Sequence, residues 1–315
     1  MRTLIIWLGL LLSPGDSLSV MFWNVENFFD WRNDSTTVSD LEFSAAGERH
    51  WTWKRFQAKA NAFAKALFWV EAETGQLPDI VGLEEVENAF VLRQVLTKTA
   101  LRKLDYKYVH YDSPDRRGID VALLYRSSRL ELLDSKPCHL FAADSVMATR
   151  DILLCQFRKD STVFAVLVNH HPSKYGGAAE SEPRRRVAVE RLRFLADSLA
   201  AIGIDRILAG GDFNDTPDNP VFLLLEPALL PTHRDLHRRG LGTIKFDGKW
   251  DLIDHIYVSP SASSGAQMRI LRIPFLLARD TVHSGEKPLR TYTGPRHTGG
   301  VSDHLPVLLE LAFPP

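Results

Sequence analysis

Carboxylates, carboxamides and imidazoles recur in this sequence where apolar runs end. Asn24 follows Met21-Phe22-Trp23, Glu84 and Glu85 follow residues 80–83, and His170 follows residues 164–168. Asp212 and Asn214 come after residues 207–209, and Asp303 and His304 precede the apolar run at 305–311. A strand end can aim such side chains into a shared cleft, where a rigid sheet fixes their geometry. The set offers oxygen and imidazole donors but no thiolate, which suits the hard cations Mg²⁺, Mn²⁺ or Ca²⁺ better than zinc. A cation held by carboxylates polarises phosphoryl oxygens and stabilises a leaving alkoxide. The natural reaction class is phosphoester hydrolysis.

Each position also has a plainer explanation. Asn24 can cap a turn, and Gly210-Gly211-Asp212-Phe213-Asn214-Asp215 can be a simple turn. Adjacent strand residues face opposite ways, so one of Glu84 and Glu85 can be a ligand while the other is a solvated or structural charge. His170 and His171 pose the same alternative. Asp254 is more telling, because it lies in phase with Trp250, Leu252, Ile256 and Val258. A carboxylate on an apolar face is costly unless paired, and a protonated imidazole is the expected partner. Arg184, Arg185 and Arg186 read as a solvated helix face, with phosphate contact the less favoured alternative.

The elements that must position these groups alternate without a visible linker. Residues 54–73 read as a helix, with Phe56, Ala60, Phe63, Ala64 and Leu67 at helical spacing, Thr52 as cap, and Gly75 and Pro78 closing it. Asn88 caps a second helix running to about residue 104. Pro183 opens a third, with Ala188, Leu192, Leu195 and Leu199 on one face. Residues 79–83, 121–125, 162–168, 207–209, 252–258 and 305–311 read as strands. No internal repeat interrupts them. The pattern predicts one sheet-dominated domain with helices packed outside.

Composition narrows the class. The chain has 315 residues and a formal net charge of −1, so it lacks the basic excess of a dedicated nucleic-acid binder. That balance leaves open an enzyme that meets nucleic acid briefly through a metal. Arg2, the apolar run at residues 4–12 and the small residues Ser17 and Ser19 match a secretory signal peptide, with cleavage expected near Ser19 and the first strand starting at Val20. The run is shorter than the roughly 20 residues of a membrane span. The alternative is a buried first element of the domain. Cys138 and Cys155 can oxidise to one bridge or stay as two separate buried thiols.

Taken together, five segments resemble the endonuclease/exonuclease/phosphatase superfamily. They are Trp23-Asn24-Val25-Glu26-Asn27, Gly82-Leu83-Glu84-Glu85-Val86-Glu87-Asn88, Gly211-Asp212-Phe213-Asn214, Ile253-Asp254-His255-Ile256 and Ser302-Asp303-His304. Residues 25–30, 112–120, 172–177 and 299–306 further resemble a bacterial exported branch of it. The resemblance implies an α+β fold, a four-layer α/β/β/α sandwich of two mainly antiparallel sheets flanked by helices (deoxyribonuclease-I-like). It also implies a single domain over residues 20–315 after a signal peptide at 1–19.

The same resemblance implies roles. Asn24 and Glu85 stand where the family holds its divalent metal, Mg²⁺ before Mn²⁺ or Ca²⁺, and Asp303 is a second metal-side carboxylate. Glu84 replaces the family's usual Gln and adds negative charge. His170 contacts the scissile phosphate, Asn214 holds it, and Asp212 orients or deprotonates the attacking water. Asp254 keeps His304 as imidazolium, which acts as acid/base or neutralises the phosphate. Arg117 and Asp120 are candidates for the family's further phosphate contact. The expected reaction is in-line water attack on phosphorus without a covalent enzyme intermediate. DNA or RNA outside the cytoplasm leads as substrate, ahead of a lipid or inositol phosphate. A non-catalytic ligand-binding protein on this fold is the alternative of another class. The mature chain is expected to be a monomer without stable membrane insertion, and the aromatic-rich insertion at 30–53 either covers the cleft, meets a lipid, or packs as an ordinary loop.

Overall fold

The structure, a computed structural model, describes residues 17–33, 38–174 and 176–313. The apolar run at 4–12 lies outside them. Strand β1 (Ser17–Phe28) is buried on both faces. Leu18, Val20 and Phe22 point into the core between two sheets, while Met21, Trp23 and Val25 point to a helical layer. Double burial explains why its sequence reads as a continuous apolar run rather than an alternation. The strand starts three residues before the expected Val20. Ser17, Leu18 and Ser19 already pair with Ala312, Leu311 and Glu310, and the Ser19 amide donates to Asp79 Oδ2 at 3.0 Å.

The remaining strands that build the two main sheets are β2 (Ile80–Val86), β3 (Tyr106–His110), β4 (Asp120–Arg126), β5 (Glu131–Cys138), β6 (Ile152–Lys159), β7 (Thr162–His170), β8 (Arg206–Asp212), β9 (Leu230–Pro231), β10 (Asp254–Val258), β11 (Met268–Ile270) and β12 (Val307–Ala312). One sheet has the order β11-β12-β1-β2-β4-β3 and the other β9-β10-β8-β7-β6-β5. Only β1–β2 and β7–β8 pair in parallel; the other pairs of these sheets are antiparallel. The sheets stack face to face around Phe22, whose ring lies where a Cβ on Gly82 or Gly210 would intrude at 2.4 Å. Helices cover both outer faces, giving the expected four layers.

Helix α1 (Trp53–Thr74) follows its forecast closely. Thr52 accepts from the Arg55 amide, Gly75 terminates it at φ 82°, and Phe56, Ala60, Phe63 and Leu67 are buried. Helix α2 (Ala89–Lys98) is capped by Asn88 but ends before the expected residue 104, because the chain turns extended at Thr99 and continues as a 3₁₀ turn. Helix α3 (Ala178–Ala201) starts five residues earlier than expected, so Pro183 lies inside it. At the sixth helical position the proline removes the backbone donor that would reach the Ala179 carbonyl. Ala188, Leu192, Leu195 and Leu199 pack on the second sheet as forecast. The arginine run is not uniformly solvated, however. Arg185 is buried, with Nε 3.2 Å from Asp215 Oδ2 and Nη1 donating to Ser181 Oγ.

One open alternative is resolved by packing. Cys138 and Cys155 are both free and buried, and they face different cores on opposite sides of the second sheet. In the insertion, Phe43 stacks on Phe29 at 4.4 Å and Trp51 Nε1 donates to the Phe29 carbonyl, while Trp53 stays half-exposed. Among the described residues, no helix is long and apolar enough to cross a membrane.

Candidate active site

The register of three strands assembles the core of the site. On β8, Asp212 is opposite His170 of β7 on one side and Asp254 of β10 on the other. In the facing sheet, Asn24 of β1 is opposite Glu84 of β2. Both of those strands then bulge. β1 slips between Asn24 and Phe28, with Glu26 and Asn27 at φ 45° and 48°. β2 slips between Glu84 and Val86, with Glu85 at φ 66°. Bulges of this kind re-aim side chains beside functional sites.

The bulge separates the two glutamates. Glu85 turns into the cleft, where Oε2 accepts from the Asn27 amide at 2.8 Å and Oε1 lies 3.9 Å from His170 Nε2. Glu84 is fully buried, and neither of its carboxyl oxygens has a hydrogen-bond partner among the described residues. Burial, reinforced by Asp254 and Asp212, holds that carboxyl well above the usual range. A neutral Glu84 fills the place of an amide without competing for a cation.

Asp212 is the hub. Oδ1 accepts from the Asn214 amide at 2.8 Å, and Oδ2 accepts from Asn24 Nδ2 at 3.0 Å and Asn214 Nδ2 at 3.2 Å. His170 Nε2 lies 3.6 Å and His304 Nε2 3.9 Å from the same oxygen. Burial raises its pKa to about 7, opposed by His304 and the two asparagine donors and assisted by Asp254. The imidazole expected beside Asp254 is His304, whose Nδ1 is 2.9 Å from Asp254 Oδ2; Thr243 also donates to that carboxylate. Burial alone would discharge His304, but Asp254 and Asp212 outweigh it and hold its pKa well above normal. His170 shows the opposite result. Burial, then the guanidinium groups of Arg150 and Arg117, push it well below normal, so it is a neutral imidazole.

The metal-side candidates lie beside a basic frame that the sequence did not reveal. Asp303 is 2.9 Å from Arg290 Nη2, and Arg290 also pairs with Glu26 Oε1 at 3.0 Å. Lys59, on the apolar face of α1, is buried and donates to the Glu26 carbonyl and to Thr291 Oγ1. Its pKa falls to about 8 by burial, while Glu26, Glu85 and Asp303 oppose the fall. Burial and then Asp303 raise Glu26 to about 7. A lone lysine among Phe56, Ala60 and Phe63 was the available signal for this frame.

Asn24, Glu85 and Asp303 fit a hard divalent cation by donor chemistry, since all three supply oxygen. Groups of three acids or histidines within 4.8 Å occur, among the described residues, as Asp212–Asp254–His304 and His110–Asp112–Asp120. Glu85 and Asp303 belong to neither. Asp120 is spent on structure: it accepts from the Ser113 amide at 2.9 Å and meets His110 Nε2 at 3.2 Å, fixing the loop that carries Arg117. His171 is turned away, its ring tilted at 52° against Phe213 at 4.4 Å.

Gly211 lets the two sheets meet under this site. It sits at φ 128°, and a Cβ there would lie 2.1 Å from the Asn169 carbonyl and 2.6 Å from Glu84 Oε1. Gly211→Ala should therefore cost about 3 kcal/mol or more of stability in chemical denaturation. A loss below about 0.5 kcal/mol would show that the strand end gives way freely.

The model of the Endonuclease/Exonuclease/phosphatase family matches residues 19–313. No curated protein sequence matches the chain. Among solved structures, the human Nocturnin catalytic domain with bound sulfate is similar at 18% identity and TM-score 0.60, covering 95% of each chain. A Bacteroides thetaiotaomicron mannosyl-6-phosphatase is similar at 17% identity and TM-score 0.61, covering 94% of this chain and all of the other. TDP2 of D. rerio complexed with single-strand DNA product matches at 16% identity and TM-score 0.56, covering 94% and 98%.

Proposed function

Because the chain belongs to the endonuclease/exonuclease/phosphatase family, we propose that it is a divalent-metal-dependent phosphoester hydrolase, acting foremost as a nuclease-like phosphodiesterase. The observation that carries this reading is the convergence of Asn24, Asn214, His170 and His304 on one carboxylate, Asp212. With its pKa near 7, Asp212 is suited to hold an attacking water and take its proton. Neutral His170 supplies a hydrogen-bond donor for the phosphoryl oxygens, Asn214 would supply one in exchange for its contact with Asp212 or the His171 carbonyl, and the His304 imidazolium supplies positive charge. A divalent cation held by Asn24, Glu85 and Asp303 would supply Lewis-acid polarisation of the phosphoryl group.

Position is fixed by the second layer of contacts. Ser302 Oγ donates to the Asn24 carbonyl at 2.6 Å and accepts from the His304 amide at 2.9 Å, tying the metal side to the imidazole side. Trp23 Nε1 donates to the His304 carbonyl at 3.0 Å. Export remains part of the proposal, in a bacterial exported branch of the family, on the strength of the basic start and apolar run at residues 2–12.

The test is turnover of plasmid DNA, RNA, a generic diester, inositol phosphates and sphingomyelin, each with Mg²⁺ and with chelator. The expected result is Mg²⁺-dependent cleavage of the nucleic acids. Glu85→Ala should raise the Mg²⁺ concentration needed for half-maximal rate by about 10–100-fold. Cleavage confined to lipid head groups would remove the nuclease reading. Chelator-insensitive turnover, or an unchanged Mg²⁺ requirement in Glu85→Ala, would remove the metal assignment.

A further inference from the structure

Two residues beyond His170, Pro172 and Ser173 line a cavity of about 380 Å³ together with Asp115, Arg117, Arg150 and Arg184. Its size falls in the range of small-ligand pockets, about 300–1,000 Å³. Three guanidinium groups face one carboxylate there, which leaves two positive charges uncompensated within the lining.

Arg150 is the informative member. Its side chain is only 5% exposed, yet its Nε has no hydrogen-bond partner among the described residues. Nη1 is 3.1 Å from Asp115 Oδ2, and Nη2 donates to the His171 carbonyl at 2.7 Å. That same carbonyl accepts from Asn214 Nδ2 at 3.0 Å, so one peptide oxygen joins the cavity to the phosphate-holding side of the site. A buried guanidinium with a donor to spare is costly unless a partner arrives. Arg117 and Arg184 are exposed at the rim, and Arg184 forms no ion pair among the described residues. Arg186, two positions on, instead points to Glu182 and Glu190 on the solvent side.

We propose that Arg150, Arg117 and Arg184 form a subsite for a second phosphate of the substrate, next to the phosphate being cleaved. A phosphomonoester carries about −1.5 to −2 charge near neutral pH, which matches the charge left over in the lining. Arginine is the fitting residue, because its planar fork binds phosphate oxygens bidentately. The subsite deepens the phosphoester reading above and rests on it. It assigns the substrate to phosphoesters that bear a second phosphate close to the scissile one.

Two measurements separate this assignment from its premise. Inorganic phosphate is titrated calorimetrically into chelator-treated protein, where acidic groups dominate the hydrolytic side. Arg184→Gln and Arg150→Lys should each weaken binding by about tenfold, and Arg186→Gln should leave it unchanged. Equal affinity in all four proteins would overturn the subsite. Mg²⁺-dependent kinetics are then compared for a dinucleotide with and without a terminal phosphate, and for inositol 1,4-bisphosphate against inositol 1-phosphate.

Arg184→Gln should raise KM about tenfold for the doubly phosphorylated member of whichever pair is turned over, with little change for the singly phosphorylated one. The pair that responds identifies the carrier of the second phosphate. An equal effect on both members would show a merely structural role and overturn the subsite. If wild type turns over none of the four compounds, the phosphoester reading fails, while the phosphate titration still decides the cavity. Arg184 is exposed on α3, so its variant keeps the test readable should Arg150→Lys not fold.

Discussion

Asp212→Asn should lower Mg²⁺-dependent turnover by about 10³–10⁴-fold while costing no more than about 1–2 kcal/mol of stability at pH 7. The substitution keeps shape and volume but removes the only carboxylate that both asparagines and both cleft histidines address. An amide cannot take a proton from water as a carboxylate does, and it brings a third NH₂ group beside those of Asn24 and Asn214, or turns it toward the Asn214 backbone amide. The loss of stability should stay modest, because burial already makes the ionised form costly, as its rise to about 7 records. Wild-type activity should accordingly show an acid limb below pH 7, where Asp212 takes up a proton. A bound cation would move that limb lower. If Asp212→Asn retains more than about a tenth of wild-type turnover, another group is the base.

The second large effect concerns stability in acid. His171 and His233 are buried, and their pKa values fall from 6.5 to about 3, by burial first; Arg150 follows for His171, while the Ile256 carbonyl partly opposes the fall for His233. Both are neutral when folded and free to protonate when unfolded. Between pH 6.5 and about 3 the unfolded chain therefore binds more protons, and folding stability falls as pH falls through that window. At about 1.4 kcal/mol per pH unit, each histidine accounts for several kcal/mol across it.

Glu84 and Glu87 act in the opposite sense, since burial raises both and keeps their protons in the folded state. The whole-protein profile therefore mixes two signs, and a variant isolates one of them. His233 stacks on His255 at 4.3 Å, a contact that His233→Phe preserves. The variant should lose at least about 2 kcal/mol less than wild type between pH 6.5 and 4 in denaturant titrations. Parallel profiles for the two proteins would refute the neutral-histidine account.

What was legible in the sequence follows from periodicity and pairing rules. Asp254 betrayed its imidazole partner because a charge in phase with Leu252, Ile256 and Val258 had to be neutralised. Asp212, His170 and Asn24 were visible because strand ends gather side chains. The choice between Glu84 and Glu85 was not visible in the residue pattern, and only the family resemblance pointed to Glu85. It depends on a bulge at φ 66°, and no local pattern announces which residue a strand will skip.

Lys59, Arg290 and Arg150 were missed for a related reason. Each acts on groups far away in sequence, as in the Lys59–Thr291 and Arg150–Asp115 contacts, so spacing carries no trace of them. Arg185 was misread because three consecutive arginines on a helix point in three directions, and one of them had Asp215 beneath it.

The central place of β1 has a consequence for how the molecule is made. Its neighbour on one side is β12, the last of these strands in chain order, so the middle of the first sheet stays open until residues 307–312 have been made. Asp303 and His304 arrive with that same closing segment. Contacts of such long sequence separation fold late and slowly, leaving β1 with an unpaired edge in the meantime. A nascent chain that stops short of residue 303 would hold neither a finished sheet nor a complete site. Hydrolytic competence and completion of the fold are thus a single, late event.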